Sequence, residues 1–75
     1  MMASRVTSAK RTAAQEFRQA REAAGLSREK LGRVADVSSS TIYHVERGEV
    51  PSPEIGRRLA EALGLDVAKL WGEDR

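Results

Sequence analysis

The stretch VSSSTIYHVERG, residues 37–48, has the signals of a short helix that is capped at both ends. Ser38 is a favourable N-cap residue, and Gly48 is the residue type that most often follows a helix C-terminus. Ile42 and Val45 are three residues apart, so they share one face and are expected to point inward. The first turn carries small serine hydroxyls, whereas the outer face carries a tyrosine, a histidine and an arginine. This segment is therefore predicted to be a helix, over residues 39–47, with an exposed polar face.

The rest of the chain predicts four more helices, because apolar residues recur at helical spacing and no segment alternates like a strand. Thr12 with Gln15 predicts a capping box at the start of the first helix. The second helix is expected over residues 28–35. Polar capping residues precede the second, fourth and fifth helices, namely Ser27, Ser52 and Asp66. The predicted fold class is all-α, with a compact five-helix domain over residues 13–72.

The length and composition exclude several function classes. A chain of 75 residues is expected to form one domain, and without cysteine it has no disulfide framework and no thiol nucleophile. With a single histidine, a multi-histidine metal site or a catalytic triad is not expected. The sequence therefore predicts no enzyme, no metal and no cofactor. No apolar run is long enough to span a membrane. The lack of an export signal and of cysteine favours a cytoplasmic protein.

Positive charge is concentrated in the N-terminal half of the chain. Residues 1–33 contain eight Lys or Arg residues and three acidic residues, whereas the remaining residues contain five and eight. Residues 1–12 are predicted to be a flexible basic tail, and residues 73–75 a short C-terminal tail. A basic half facing an acidic half is typical of a protein that binds a polyanion on one side.

The second and third predicted helices are separated only by the residues DVS, 36–38. So short a connection forces a sharp corner rather than an antiparallel hairpin. This is the helix-turn-helix arrangement, in which the second of the two helices enters the major groove of DNA.

The sequence GLSREKLGRVADVSSSTIYHVERGEVPSPEIGRRLAEALGLDVAKL, residues 25–70, resembles the Xre-type family, the helix-turn-helix domains of phage Cro and repressor proteins. The shared features are Gly-Leu-Ser before the second helix, Val-Ser in the turn, Thr-Ile in the third helix, Glu-x-Gly after it, a Pro-Ser connector and Leu-Ala-x-Ala-Leu-Gly in the fourth helix. The resemblance covers about residues 14–71. It implies a lambda-repressor-like fold and a sequence-specific, double-stranded DNA-binding transcriptional regulator, with a repressor favoured.

The resemblance also implies roles for individual residues. Three side chains of the third helix occupy positions that usually meet base edges: Ser39, Ser40 and His44. Ser38, Arg28 and Arg47 occupy positions near the DNA backbone. Arg21 and Glu46 match a pair that ties the first helix to the third through a partly buried salt bridge. Small hydroxyls in the first turn suit this role, because they permit close approach and hydrogen-bond either base type.

Three positions depart from the family pattern. Gly32 replaces an alanine and is expected to cost up to about 1 kcal/mol of helix propensity. Asp36 replaces the usual turn glycine, although Asp tolerates a left-handed conformation. Arg28 replaces a glutamine, so it retains phosphate binding but loses an amide acceptor.

Several residues have a plain structural interpretation beside the functional one. The serines can serve only as a cap and as solvated positions, and His44 can be an ordinary surface histidine. Tyr43 can contact the DNA backbone or pack at the edge of the domain. Lys10 and Arg11 can form a flexible arm on DNA or a solvated tail.

The C-terminal end supplies the expected dimer contact, which consists of Val67, Leu70 and Trp71, with Leu70 facing inward and Trp71 partly exposed. The alternative is that these residues only close the core. The predicted partner is a pseudo-palindromic DNA operator, bound by a weak homodimer. The alternative function for the same fold is a protein-interaction module, such as an antitoxin or scaffold component. The polar, small-residue face of the third helix favours DNA.

Overall fold

The computed structural model describes residues 12–72, and five α-helices account for most of that range. In chain order they are α1 (Ala13–Ala23), α2 (Arg28–Ala35), α3 (Ser39–Glu46), α4 (Pro53–Leu63) and α5 (Val67–Trp71). No strand is present between residues 12 and 72, so the predicted all-α class and its helix-turn-helix are confirmed.

Serine hydroxyls begin three of the five helices in the same way. The Oγ atoms of Ser27, Ser38 and Ser52 each accept a hydrogen bond from the backbone N–H three residues later. At the start of α1, Thr12 and Gln15 form the reciprocal capping box that the sequence predicts. These bonds satisfy backbone donors that the helices themselves leave unpaired.

The end of α1 turns the chain sharply toward α2. Gly25 adopts a left-handed conformation with φ of 74°, and the backbone N–H of Leu26 donates to the carbonyl of Arg21 at 3.2 Å. This is the Schellman arrangement, and Leu26 then folds back against the core.

The core lies where the helices meet. Its fully buried side chains come from α1, α2, α3 and α4, namely Phe17, Leu31, Ile42, Val45 and Leu59. Leu70 of α5 closes this core from the C-terminal end, at 9% exposure. Because α3 contributes two fully buried side chains, its inner face is fixed and its outer face remains in solvent.

The turn between α2 and α3 depends on a close backbone contact. A Cβ atom at Gly32 would overlap with the carbonyl oxygen of Val37, which lies against the middle of α2. Alanine at position 32 would have the higher helix propensity, but its methyl group would overlap with this carbonyl oxygen. Asp36 takes the left-handed conformation of the turn, with φ of 61°.

Arg58 of α4 holds this turn from outside. Its Nη1 donates to the backbone carbonyl of Asp36 at 3.1 Å and lies 3.8 Å from the Asp36 carboxylate. Its Nη2 donates to Glu54 at 2.9 Å. The turn that positions α3 is thus supported from α2 by a backbone contact and from α4 by a guanidinium group.

Candidate nucleic-acid interface

The first turn of α3 presents small hydroxyl groups to solvent. Ser38 is occupied by its own helix: its Oγ accepts from the Thr41 N–H at 3.1 Å and donates to Thr41 Oγ1 at 2.9 Å. Ser39 and Ser40 are exposed, and neither hydroxyl is engaged in a hydrogen bond within residues 12–72. This turn can therefore approach another molecule closely and offer two unused hydroxyls.

His44 lies one turn further along the exposed face, and its side chain is about half exposed. The Tyr43 ring meets it edge-on, with ring centroids 5.5 Å apart. The imidazole Nδ1 is 3.7 Å from the Glu49 carboxylate, a neighbour that the sequence analysis missed. Glu49 lies beyond the end of α3, and its backbone N–H donates to the carbonyl of His44. Helical spacing does not predict that Glu49 lies beside His44, because the chain has already left the helix there.

Two arginines lie against the ring of Tyr43. The guanidinium carbon of Arg28, from the start of α2, is 5.4 Å from the ring centroid. That of Arg47, the residue that caps the end of α3, is 5.6 Å from it. Arg47 Nη1 also donates to the tyrosine hydroxyl at 3.2 Å. The ring thus brings together two cations from separate segments of the chain.

A buried carboxylate joins α1, α2 and α3. The side chain of Glu46 is 3% exposed, and its Oε2 accepts from Arg21 Nε at 2.6 Å. Its Oε1 accepts from Arg28 Nε at 2.9 Å and from Arg21 Nη2 at 3.3 Å. Arg21 Nη1 also donates to the carbonyl of Leu26 at 2.8 Å. Sequence analysis paired Arg21 with Glu46 but missed Arg28, because only the sharp turn brings the start of α2 beside the end of α3.

The starts of α2 and α3 open onto a common shallow groove, whose lining residues are Ser27, Arg28, Glu29, Ser39, Ser40 and Tyr43. Backbone N–H groups at helix starts favour anions, and Arg28 adds a full positive charge. Glu29 is the one acidic side chain in this lining. The groove therefore combines hydroxyl groups and two helix starts with one arginine and one glutamate, beside the exposed side of α3.

The C-terminal residues divide between the core and the surface. Leu70 is buried in the domain, whereas Val67 and Trp71 are half-buried. The Trp71 ring lies 5.8 Å from that of Phe17, and a Cβ atom at Gly56 would approach Trp71 to 3.2 Å. Trp71 thus packs on the domain with one part of its surface and lines an open apolar groove with another.

Other predictions fall outside this surface or outside the described range. Lys10 and Arg11 are not among the residues that the structure describes. Between residues 12 and 72, no helix has the length and apolar character needed to cross a membrane. The same part of the chain contains no cluster of His, Asp or Glu side chains suited to a metal ion.

Together, a sharp turn, a buried inner face and an exposed polar outer face define a small helical domain of the helix-turn-helix class. Comparison with protein-family models gives a match to the helix-turn-helix domain over residues 13–70. The chain belongs to this family, whose domains generally bind DNA and are not typically enzymes. Neither curated proteins nor solved structures give a match.

Proposed function

We propose that this protein is a sequence-specific transcriptional regulator of the Xre type, most simply a cytoplasmic repressor that places α3 in the major groove of an operator. The observation that supports it best is the exposed face of α3, which carries unused serine hydroxyls and a half-exposed histidine and is flanked by Arg28 of α2 and by Arg47. An apolar α3 surface would have supported protein binding instead.

The proposed base-reading residues are Ser39, Ser40 and His44. The serines allow the start of α3 to come close to the base edges, and a hydroxyl can donate or accept there. His44 is four residues beyond Ser40, so the two share one face of the helix. His44 is then the longer side chain that distinguishes one base pair from another.

The proposed backbone contacts surround this face. Arg28 and Arg47 offer guanidinium groups to phosphates, and Tyr43 offers a hydroxyl. Ser38 is also proposed as a backbone contact, for which its hydroxyl must give up the bond that it donates to Thr41. Lys10 and Arg11 lie outside the described residues, and their proposed contact with DNA rests on charge alone. Contacts of this kind fix the register of the domain on the duplex but carry no sequence information themselves.

We also propose that two copies bind a pseudo-palindromic operator as a weak homodimer. Two α3 helices about 34 Å apart would enter successive major grooves on one face of the duplex. The proposed contact is the C-terminal patch of Val67, Leu70 and Trp71. Because Leu70 is buried within the domain, Val67 and the exposed part of Trp71 must supply most of the apolar surface.

The dimer is tested with Val67→Lys rather than with a Trp71 variant, because loss of the indole would also remove packing against Phe17. The expected result is a loss of cooperative binding to a full operator, with half-site affinity nearly unchanged. Val34→Lys is the matched control, since Val34 is exposed on α2 and is not part of the apolar groove. Two equal, independent binding steps for the native protein would contradict the dimer.

Selection of binding sites from random double-stranded DNA tests the proposed function as a whole. Enrichment of a defined sequence is the expected result, and two inverted half-sites in it would support the homodimer. If no sequence is enriched, specific DNA recognition is wrong, and the alternative of a protein-interaction module such as an antitoxin is favoured.

A further inference from the structure

We propose that Tyr43 is a positioning residue, whose ring holds Arg28 and Arg47 as a preset pair for the phosphates of one segment of DNA backbone. The inference rests on the proposed DNA-binding function and deepens it. It changes the role expected for Tyr43, which is otherwise a direct contact between its hydroxyl and a phosphate. The three side chains are called the arginine–tyrosine cluster below.

Arg28 is held from two sides. Its Nε donates to the buried Glu46 carboxylate, and its guanidinium carbon lies 5.4 Å from the centre of the Tyr43 ring. Both Nη groups remain without a hydrogen-bond partner in residues 12–72, and the side chain is 41% exposed. The contacts therefore fix the inner edge of the guanidinium while its outer donors stay accessible to an anion.

Arg47 has no carboxylate partner within residues 12–72 and depends on Tyr43 instead. Arg47 is exposed. Its guanidinium donates a hydrogen bond to the Tyr43 hydroxyl and lies against the Tyr43 ring. The two residues are four apart at the end of α3, which is the spacing at which helical side chains meet. Without the ring, Arg47 would be a long flexible side chain that binding must first order.

The energetic reason for such a cluster is preorganisation. A free arginine loses much rotamer freedom when it binds a phosphate, and a side chain that is already held loses less. The negative face of an aromatic ring attracts each guanidinium. It also offsets part of the repulsion between the two cations, so both can face the same stretch of DNA backbone.

The tyrosine hydroxyl itself is less suited to be the main phosphate contact. It already accepts from Arg47 at 3.2 Å, so its remaining role toward a phosphate is a single neutral donor. The two guanidinium groups beside it provide charge-assisted hydrogen bonds, which are shorter and stronger. The ring and the hydroxyl therefore make separable contributions, and two substitutions at the same position distinguish them.

The test compares Tyr43→Phe, which keeps the ring, with Tyr43→Leu, which removes it. Affinities are measured for the selected operator and for a scrambled duplex. Tyr43→Leu is expected to weaken binding to both by about 5- to 150-fold, because the two arginine side chains must then be ordered on binding. Tyr43→Phe should retain most of the affinity. Equal losses for the two variants would show that the hydroxyl is the contact and would overturn the inference.

A double-mutant cycle supplies a readout that a purely structural role would not change. Arg47→Lys keeps the charge but loses the planar guanidinium, so Tyr43→Leu should cost less in that background than in the native one, with only the contact to Arg28 left to lose. In the free protein, ¹⁵N relaxation of the arginine Nε–H groups should show greater mobility of Arg47 in Tyr43→Leu, with a smaller change at Arg28, whose Nε stays bonded to Glu46. Thermal melting serves as the folding control, and Val34→Ala is the matched exposed variant.

The outcomes separate this inference from the function on which it rests. If the native protein binds neither duplex, both the proposed function and the positioning role are wrong. If the native protein binds but the cycle is additive and the arginine mobilities are unchanged, only the positioning role is wrong.

Discussion

The two ends of α3 are held in different ways. At its start, Ser38 forms hydrogen bonds only within its own turn, and Ser39 and Ser40 are exposed. At its end, the buried Glu46 carboxylate binds arginines from both α1 and α2. Side chains thus anchor the C-terminal end of α3, whereas the exposed side chains of its N-terminal turn are free to contact another molecule.

Backbone contacts of the preceding turn set the position of the N-terminal end of α3. The carbonyl oxygen of Val37 lies so close to Gly32 that a Cβ atom there would overlap with it, and Arg58 of α4 donates to the carbonyl of Asp36. Short side chains in the first turn do not weaken the placement of α3, because the preceding turn supplies it. A domain this small can therefore keep its candidate DNA-binding hydroxyls unused without losing a defined helix orientation.

Glu46→Ala is expected to have the largest effect, because it leaves the buried Arg21 without its carboxylate partner. The free energy of unfolding should fall by about 3–5 kcal/mol. Arg21→Ala should cost less, since Glu46 then keeps Arg28 as a partner. The double variant should lose less than the sum of the two.

Urea denaturation measures these losses. Arg18→Ala is the matched control, because its pair with Glu22 is exposed on the same helix as Arg21 and is expected to contribute less than about 1 kcal/mol. Strictly additive losses for Arg21→Ala and Glu46→Ala would mean that the two side chains do not stabilise each other.

Gly32→Ala tests how the preceding turn positions the N-terminal end of α3. The added methyl group would overlap with the Val37 carbonyl, so the variant should be less stable by about 1–3 kcal/mol. Helix propensity alone predicts the opposite sign, a gain of up to about 1 kcal/mol. Thermal or urea melting distinguishes the two, with Val34→Ala on the exposed side of α2 as the control. A more stable Gly32→Ala protein would show that the turn is not packed this closely.

His44→Ala should have little effect on folding, because the side chain is about half exposed. On a selected operator it should weaken binding by about 1–3 kcal/mol, with little change on scrambled DNA. Arg28→Ala should weaken binding to both duplexes alike, as a backbone contact does. If His44→Ala reduces both affinities equally, the histidine does not read a base.

Local signals predicted the helices well, since caps and apolar spacing are encoded within a few residues. The range of α2 is the same in the sequence prediction and in the structure, and α3 ends at Glu46, one residue earlier than expected, with Arg47 as its cap. Helix ends commonly differ by a residue or two.

The contacts between elements were less accessible from the sequence. The approach of Arg28 to Glu46 and the overlap that excludes alanine at position 32 both depend on how α2 and α3 cross. The placement of Glu49 beside His44 depends on the path of the chain after α3. Spacing along the chain carries no information on these distances, because each arises only when the turn and the core have fixed the helices relative to one another.

The salt dependence of binding to a selected duplex tests most directly whether this surface is a DNA interface. Each phosphate neutralised contributes about −0.9 to the slope of log K against log salt concentration, and roughly four to six contacts are expected for each half-site. We therefore predict a slope of about −3.5 to −5.5 per half-site between low and physiological salt, with the selected duplex bound more tightly than a scrambled one throughout. An affinity that stays flat over this range, or that is equal for the two duplexes, would contradict the account.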